Sequence, residues 1–147
     1  MMTTQTAVDG DFNNGRGLVK LSESTLTVVT TDEDIRNRSV HDVHGEDLGT
    51  VRDLIVDEAE QKVRFVQVAQ GGFLGIGQQT VLLPVDTIVR VAEREVHVDQ
   101  DQHRIAGAPA YNPDLTDERY YEDLYGYYGV GPFWSAGYLY PPYPYYP

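Results

Sequence analysis

Gly45-Glu46-Asp47-Leu48-Gly49-Thr50-Val51-Arg52-Asp53-Leu54-Ile55-Val56-Asp57 is the stretch whose reading decides the fold. A β-branched run that opens on glycine and acidic residues and closes on aspartate specifies an extended strand between tight turns. Leu48, Thr50, Arg52 and Leu54 share one parity, and Gly49, Val51, Asp53 and Ile55 the other, so neither face is cleanly apolar. A bulge or bend near Gly49 accounts for this and lets a small sheet curl. Gly45 can supply positive φ in the turn before it. Glu58 to Gln61 form a polar hairpin loop. Val63 to Ala69 then carry apolar residues on both parities, the pattern of a strand covered on both faces.

Working outward, Leu18 to Ser22, Thr25 to Val29 and Val40 to Val43 read as short strands, with Thr31 to Asp34 an acidic turn. After Gly71-Gly72-Phe73-Leu74-Gly75-Ile76-Gly77 come strands at Thr80–Leu83, Ile88–Ala92 and Glu95–Val98, the last two joined by a reversal at Glu93-Arg94. Asp99 to Ala106 predicts a helical turn with Asp99 or Asp101 as its N-cap, and Gly107, Pro109 and Pro113 end regular structure. Short strands at close spacing with little helix between them predict a mainly β fold. The expected form is a small antiparallel barrel of about five or six strands over residues 18–106. Phe65, Val66, Val68, Ile55, Leu83 and Val91 are its expected core.

The C-terminal region is a different material. All 11 tyrosines stand at or after Tyr111, as does the single tryptophan, Trp134. From Thr116 a helix is predicted on which Tyr121, Leu124, Tyr125 and Tyr128 fall at i, i+3, i+4 and i+7. Pro132, Pro141, Pro142, Pro144 and Pro147 then remove donors and fix φ, which predicts extended or mobile chain. The organisation read from this is a disordered leader over 1–15, a barrel domain over 16–110, a helical extension over 111–128 that docks on the barrel, and a flexible Tyr/Pro-rich tail over 129–147.

Composition narrows the function. The chain has 147 residues, 23 acidic against 11 basic, and a formal net charge of −12, which disfavours phosphate backbones, so nucleic acid is not an expected partner. It has no cysteine, which excludes disulfides, thiolate metal sites and a Cys nucleophile. No apolar run is long enough to span a membrane and no secretory signal is visible, so the cytoplasm is the expected location.

Taken together, Leu18 to Pro109 resembles the PRC-barrel family. The resemblance rests on Asp34-Ile35-Arg36, Gly45 through Asp57, Val63-Arg64-Phe65, the glycine loop Gly71 through Gly77, Val81 through Pro84 and Ala108-Pro109-Ala110-Tyr111. Asn37-Arg38 depart from the pair that commonly follows the first of these. The family includes the cytoplasmic domain of the photosynthetic reaction-centre H subunit and the C-terminal domain of the ribosome maturation factor RimM. The resemblance implies a non-enzymatic binding or assembly module, with bacterial stress adaptation as its expected setting. An alternative is a RimM-like accessory of ribosome assembly or RNA processing that binds a basic protein, although the separate N-terminal domain of such factors has no counterpart here.

Each candidate site has a plain structural reading beside it. The glycine loop lacks the following helix and the Lys-Ser/Thr of a phosphate cradle, because Gln78-Gln79-Thr80-Val81 runs into a strand. Its Phe73, Leu74 and Ile76 either cap the barrel or form a partner-binding patch. His41, His44, His97 and His103 diverge by strand parity, so a histidine metal enzyme is the remote alternative and neither metal nor cofactor is expected. Asp53 and Asp57 read as turn and strand-end partners. Tyr121, Tyr125, Tyr128, Trp134, Tyr138, Tyr140 and Tyr143 are the aromatic candidates for a protein partner, for self-association or for peripheral contact at a membrane interface.

Overall fold

Strands β1 (Leu18–Lys20), β2 (Ser39–His41), β3 (Asp47–Asp57), β4 (Lys62–Gln70), β5 (Gln79–Pro84), β6 (Ile88–Val91) and β7 (Glu95–Val98) form one sheet in a computed structural model of the chain. Helices α1 (Gln102–Ala106) and α2 (Glu118–Tyr128) follow. The structure describes residues 17–23, 34–70, 79–112 and 117–144; the expected leader, the expected strand at 25–29 and the glycine loop lie outside these.

The sheet runs β5-β4-β3-β2-β7-β6, with β1 also paired to β3. The mainly β expectation holds, and three details of the barrel are corrected. Strand β2 lies parallel to β7, with Ser39, Val40 and His41 opposite Glu95, Val96 and His97, so the sheet is mixed. It is also open among the described residues, and has seven strands. Pairing between strands separated by a third of the chain or more leaves no local trace in sequence, which is why the hairpins were legible and this pair was not.

Strand β3 is the spine. Its first half takes β2 on one edge (Val40 opposite Gly49) and its second half takes β1 on that same edge (Val19 opposite Val56), while β4 runs along the other edge. The mixed parity comes from two register shifts. Val51 faces Val68 but Asp53 faces Gln67, which leaves Arg52 as an extra residue on β3. Ile55 faces Phe65 but Val56 faces Val63, which leaves Arg64 as an extra residue on β4. Each bulge re-aims the side chains beyond it. Gly49 sits at φ 133°, close to the expected bend, and Gly45 at φ 84° turns the chain into β3.

Phe65, Val66, Val68, Ile55 and Leu83 are buried as expected, whereas Val91 is only half-buried on the edge strand β6. Strand β2 stops at His41, two residues short of the expected end. The Asp42 carboxylate accepts the backbone N–H groups of His44 (2.8 Å), Glu46 (2.8 Å) and Gln102 (3.0 Å), which folds the chain into a turn and ties that turn to α1. Burial by its own turn raises the cost of the Asp42 charge, and the three N–H bonds outweigh it, so its pKa falls below the usual value. Asp101 caps α1 through the N–H of His103 at 2.7 Å.

Candidate functional site: the C-terminal clasp

Helix α2 starts at Asp117, whose carboxylate accepts the N–H of Tyr120 (3.0 Å), and ends at Gly129 in the left-handed region at φ 71°. Tyr121, Leu124, Tyr125 and Tyr128 form its buried face, as the spacing predicts. They close over Phe65 of β4, with ring centroids 5.3 Å away for Tyr121 and 5.1 Å for Tyr125. Burial raises the phenol pKa of Tyr120, Tyr121, Tyr125 and Tyr128, and lifts that of Tyr111 to about 12.

Beyond Gly129 the sequence predicts a tail with no partner inside the chain, and here the structure differs. Residues 130–144 return over β4 and the turn at Asp86. The Tyr140 hydroxyl donates to the Val63 carbonyl at 3.0 Å, the Tyr138 hydroxyl donates to Asp86 at 2.8 Å, and Tyr143 is buried. Trp134 packs edge-on to Tyr125 (5.8 Å) and to Phe133 (5.1 Å). Proline excludes regular structure from this segment, but it does not exclude side-chain contacts with a neighbouring surface.

At the centre of this contact stands Arg64, the bulged residue of β4, only 2% exposed. Its guanidinium pairs with Glu60 at 2.7 Å and with the buried Asp57 at 3.2 Å. Aromatic rings from the returning segment cover it, with Phe133 at 4.2 Å, Tyr140 at 5.4 Å and Tyr138 at 5.9 Å from its central carbon. The Lys62 ammonium lies 4.9 Å from the same Tyr140 ring. Arg64 thus clasps the C-terminal segment to the sheet. Asp57 keeps its expected strand-end role as well, accepting the N–H of Ala59 at 2.8 Å. Asp53 accepts from the Ser22 hydroxyl and backbone and from Leu54, which pins the turn after β1.

The loop after α2 leaves a depression of about 380 Å³ beside Asp86, walled by Val130, Ala136 and Leu139. Leu139 is 85% exposed, the most exposed large apolar side chain among the described residues. Burial pushes the Asp86 carboxyl above its ordinary pKa, against the lowering effect of the Tyr138 hydrogen bond and the Arg64 charge.

The aromatic candidates therefore divide. Tyr121, Tyr125, Tyr128 and Tyr143 lie in the core, while Trp134, Tyr138 and Tyr140 line the clasp. Phe73, Leu74 and Ile76 lie outside the described residues. His41 and His97 stack across the parallel pair at 5.3 Å, and His44 and His103 each lie 3.1 Å from Asp101. No group of three metal-ligating side chains converges among the described residues. Arg64, Asp86 and Leu139 were missed by sequence reasoning. For Arg64 a signal existed, because a charge in a strand apolar on both parities must find a partner when it is buried.

The architecture is thus a small mixed β-sheet domain with an aromatic C-terminal cover, and comparison with protein families places it further. The PRC-barrel domain family matches residues 28–105, more than half of the chain, and the chain belongs to that family. A search of curated proteins finds no match. No helix among the described residues is long and apolar enough to cross a membrane.

Proposed function

We propose that this PRC-barrel protein is a non-enzymatic binding or assembly module that engages a protein partner through the loop of its clasped C-terminal segment. The observation that carries this is Leu139. A leucine held almost wholly in water, on a loop whose neighbouring aromatics are anchored to Asp86 and Val63, is a presented group rather than an unpacked one. Anchoring Tyr138 and Tyr140 on either side lowers the entropy lost when a partner covers the loop. On this reading the barrel is the platform, the C-terminal segment is the display, and the setting is the cytoplasm of a bacterium adapting to stress.

Site-specific photo-crosslinking in the native cells tests it. A benzophenone side chain at position 139 is expected to give a discrete adduct, and the same group at Arg90, on the exposed edge strand, is expected to give none. Equal labelling at the two positions, or none at 139, overturns the reading.

A further inference from the structure

The side chains that line the depression beside Asp86 have a one-sided hydrogen-bond chemistry. Every side-chain hydroxyl in its lining already donates inward. Ser135 Oγ donates to the Pro132 carbonyl at 2.6 Å, and the Tyr138 hydroxyl to Asp86 Oδ2 at 2.8 Å. The backbone N–H groups of Ser135 and Tyr138 are likewise given to Pro132 O (3.0 Å) and Ser135 O (3.2 Å). What these groups still offer a visitor is lone pairs. The one charged residue of the lining is Asp86, whose Oδ1 is buried and has no hydrogen-bond donor among the described residues, and whose Oδ2 accepts from Tyr138. The walls are apolar, from Val130, Ala136 and Leu139.

Charge points the same way. Three carboxylates lie around Arg64, with Asp57 and Glu60 paired to its guanidinium and Asp86 within its field. The aromatic faces nearby already hold cations of this chain, Arg64 on Phe133 and Lys62 on Tyr140. A net charge of −12 draws basic partners to the molecule as a whole.

We propose that this depression receives a lysine side chain of the partner, with its four-carbon stem along Leu139 and Val130 and its ammonium toward Asp86. The inference rests on the binding-module reading above and names the chemistry of its partner. An ammonium is a donor with no acceptor lone pair, which matches the Asp86 carboxylate and the lone pairs left on the Ser135 and Tyr138 hydroxyls. Its stem buries the exposed leucine, and its charge compensates a carboxylate that burial has made costly. An anionic ligand meets the charge of Asp86, and a purely apolar one leaves that charge uncompensated.

The test uses the full chain, isotopically labelled, titrated with Nα-acetyl-lysine N-methylamide and read by amide chemical shifts. One partly screened ion pair with a short apolar stem corresponds to a dissociation constant of the order of millimolar. Saturable shifts are expected at Ala136, Gly137 and Leu139. The norleucine analogue, which keeps the stem and lacks the ammonium, and the Asp86→Asn protein are each expected to weaken binding about fivefold or more, in keeping with loss of one charge pair. The amide introduced by that substitution still carries an oxygen for the Tyr138 hydroxyl. Leu139→Ala, on the surface, supplies a second variant expected to weaken binding about twofold through lost stem contact. Absence of saturable shifts at these amides, equal binding of norleucine, or indifference to Asp86→Asn overturns the proposal. If position 139 crosslinks to a partner while the lysine probe fails, the lysine pocket falls and the module reading stands. If neither responds, both fall.

Discussion

The sheet and the C-terminal segment reach order by opposite routes. In the sheet, β-branched residues and backbone ladders do the work, and side chains such as Val40, Val56 and Leu82 fill the core. In residues 130–144 there is no ladder. That segment is held by hydroxyls bonded to Val63 and Asp86, by rings stacked edge to face, and by the Arg64 cation. A chain without periodicity can therefore be as fixed as one with it, provided that another element supplies the partners.

The strongest way to break this comparison is to remove the segment. Tyr121, Leu124, Tyr125, Tyr128 and Tyr143 are all buried, and each large apolar group contributes roughly 1.5–3 kcal/mol. Deleting residues 117–147 removes a sum comparable to the roughly 5–15 kcal/mol stability of a whole domain, so no cooperative thermal transition is expected by calorimetry. Deleting only 129–147 keeps α2 but strips Arg64 of its aromatic cover, and a fall in Tm of about 10 °C or more is expected. A shorter protein that melts like the full chain would make the segment an appendage rather than core.

Next in size is the clasp itself. Arg64→Ala leaves Asp57 buried without its cation and removes the contacts to Phe133, Tyr138 and Tyr140. A loss of about 3–5 kcal/mol is expected in urea unfolding. Arg64→Met, which keeps the stem against the rings, should recover part of it. If the two variants are equally unstable, the packing of the stem contributes nothing and the charge carries the whole effect.

Legibility in the sequence follows the same division. Strands β3 and β4, their hairpin and the buried face of α2 could be read because glycine, acidic turns and the i, i+3, i+4, i+7 spacing act over a few residues. The parallel β2–β7 contact could not, since it joins strands as distant as Ser39 and Glu95. Tyr138 and Tyr140 could be picked out as aromatic candidates, but their bonds to Asp86 and Val63 span 52 and 77 positions. Leu139 carried no pattern at all, one leucine between two tyrosines. Its meaning comes from what anchors its neighbours.

Alkali separates the two regions without mutation. Tyr111, Tyr120, Tyr121, Tyr125, Tyr128 and Tyr138 all have phenols raised by burial above the ordinary value of 10, and all belong to the C-terminal region. A raised phenol pKa favours the folded state fully below 10, and that contribution gives way to a penalty-free unfolded phenolate as pH rises toward the folded values. Absorbance at the phenolate band is expected to show these groups lagging behind exposed tyrosine and then ionising together as the segment leaves the sheet. A single smooth titration near 10 for every tyrosine would contradict a buried aromatic cover.

The smallest expected effect is at Asp86, where the two regions meet. Burial raises its pKa, and the Tyr138 hydrogen bond and the Arg64 charge offset this only in part. The sign follows from linkage. A carboxyl whose folded pKa lies above the unfolded 3.8 contributes stability below 3.8 and loses that contribution as pH rises through the folded value. Asp34 works the other way. The Arg36 guanidinium at 2.6 Å holds its carboxyl low, so its contribution is present above 3.8 and is lost in acid. Total acid unfolding mixes the two, whereas the difference between wild type and Asp86→Asn isolates the first. The amide does not titrate and can still accept from Tyr138. The variant is therefore expected to match wild type in acid, near the unfolded value, and to gain up to about 1 kcal/mol at neutral pH, a ceiling set low because the carboxylate is partly exposed and screened. A variant that is instead less stable at neutral pH would show that the ionised Asp86, through Tyr138 and the field of Arg64, helps to hold the segment down. The carboxylate would then be part of the clasp, and its desolvation would no longer count as strain that a lysine ammonium relieves.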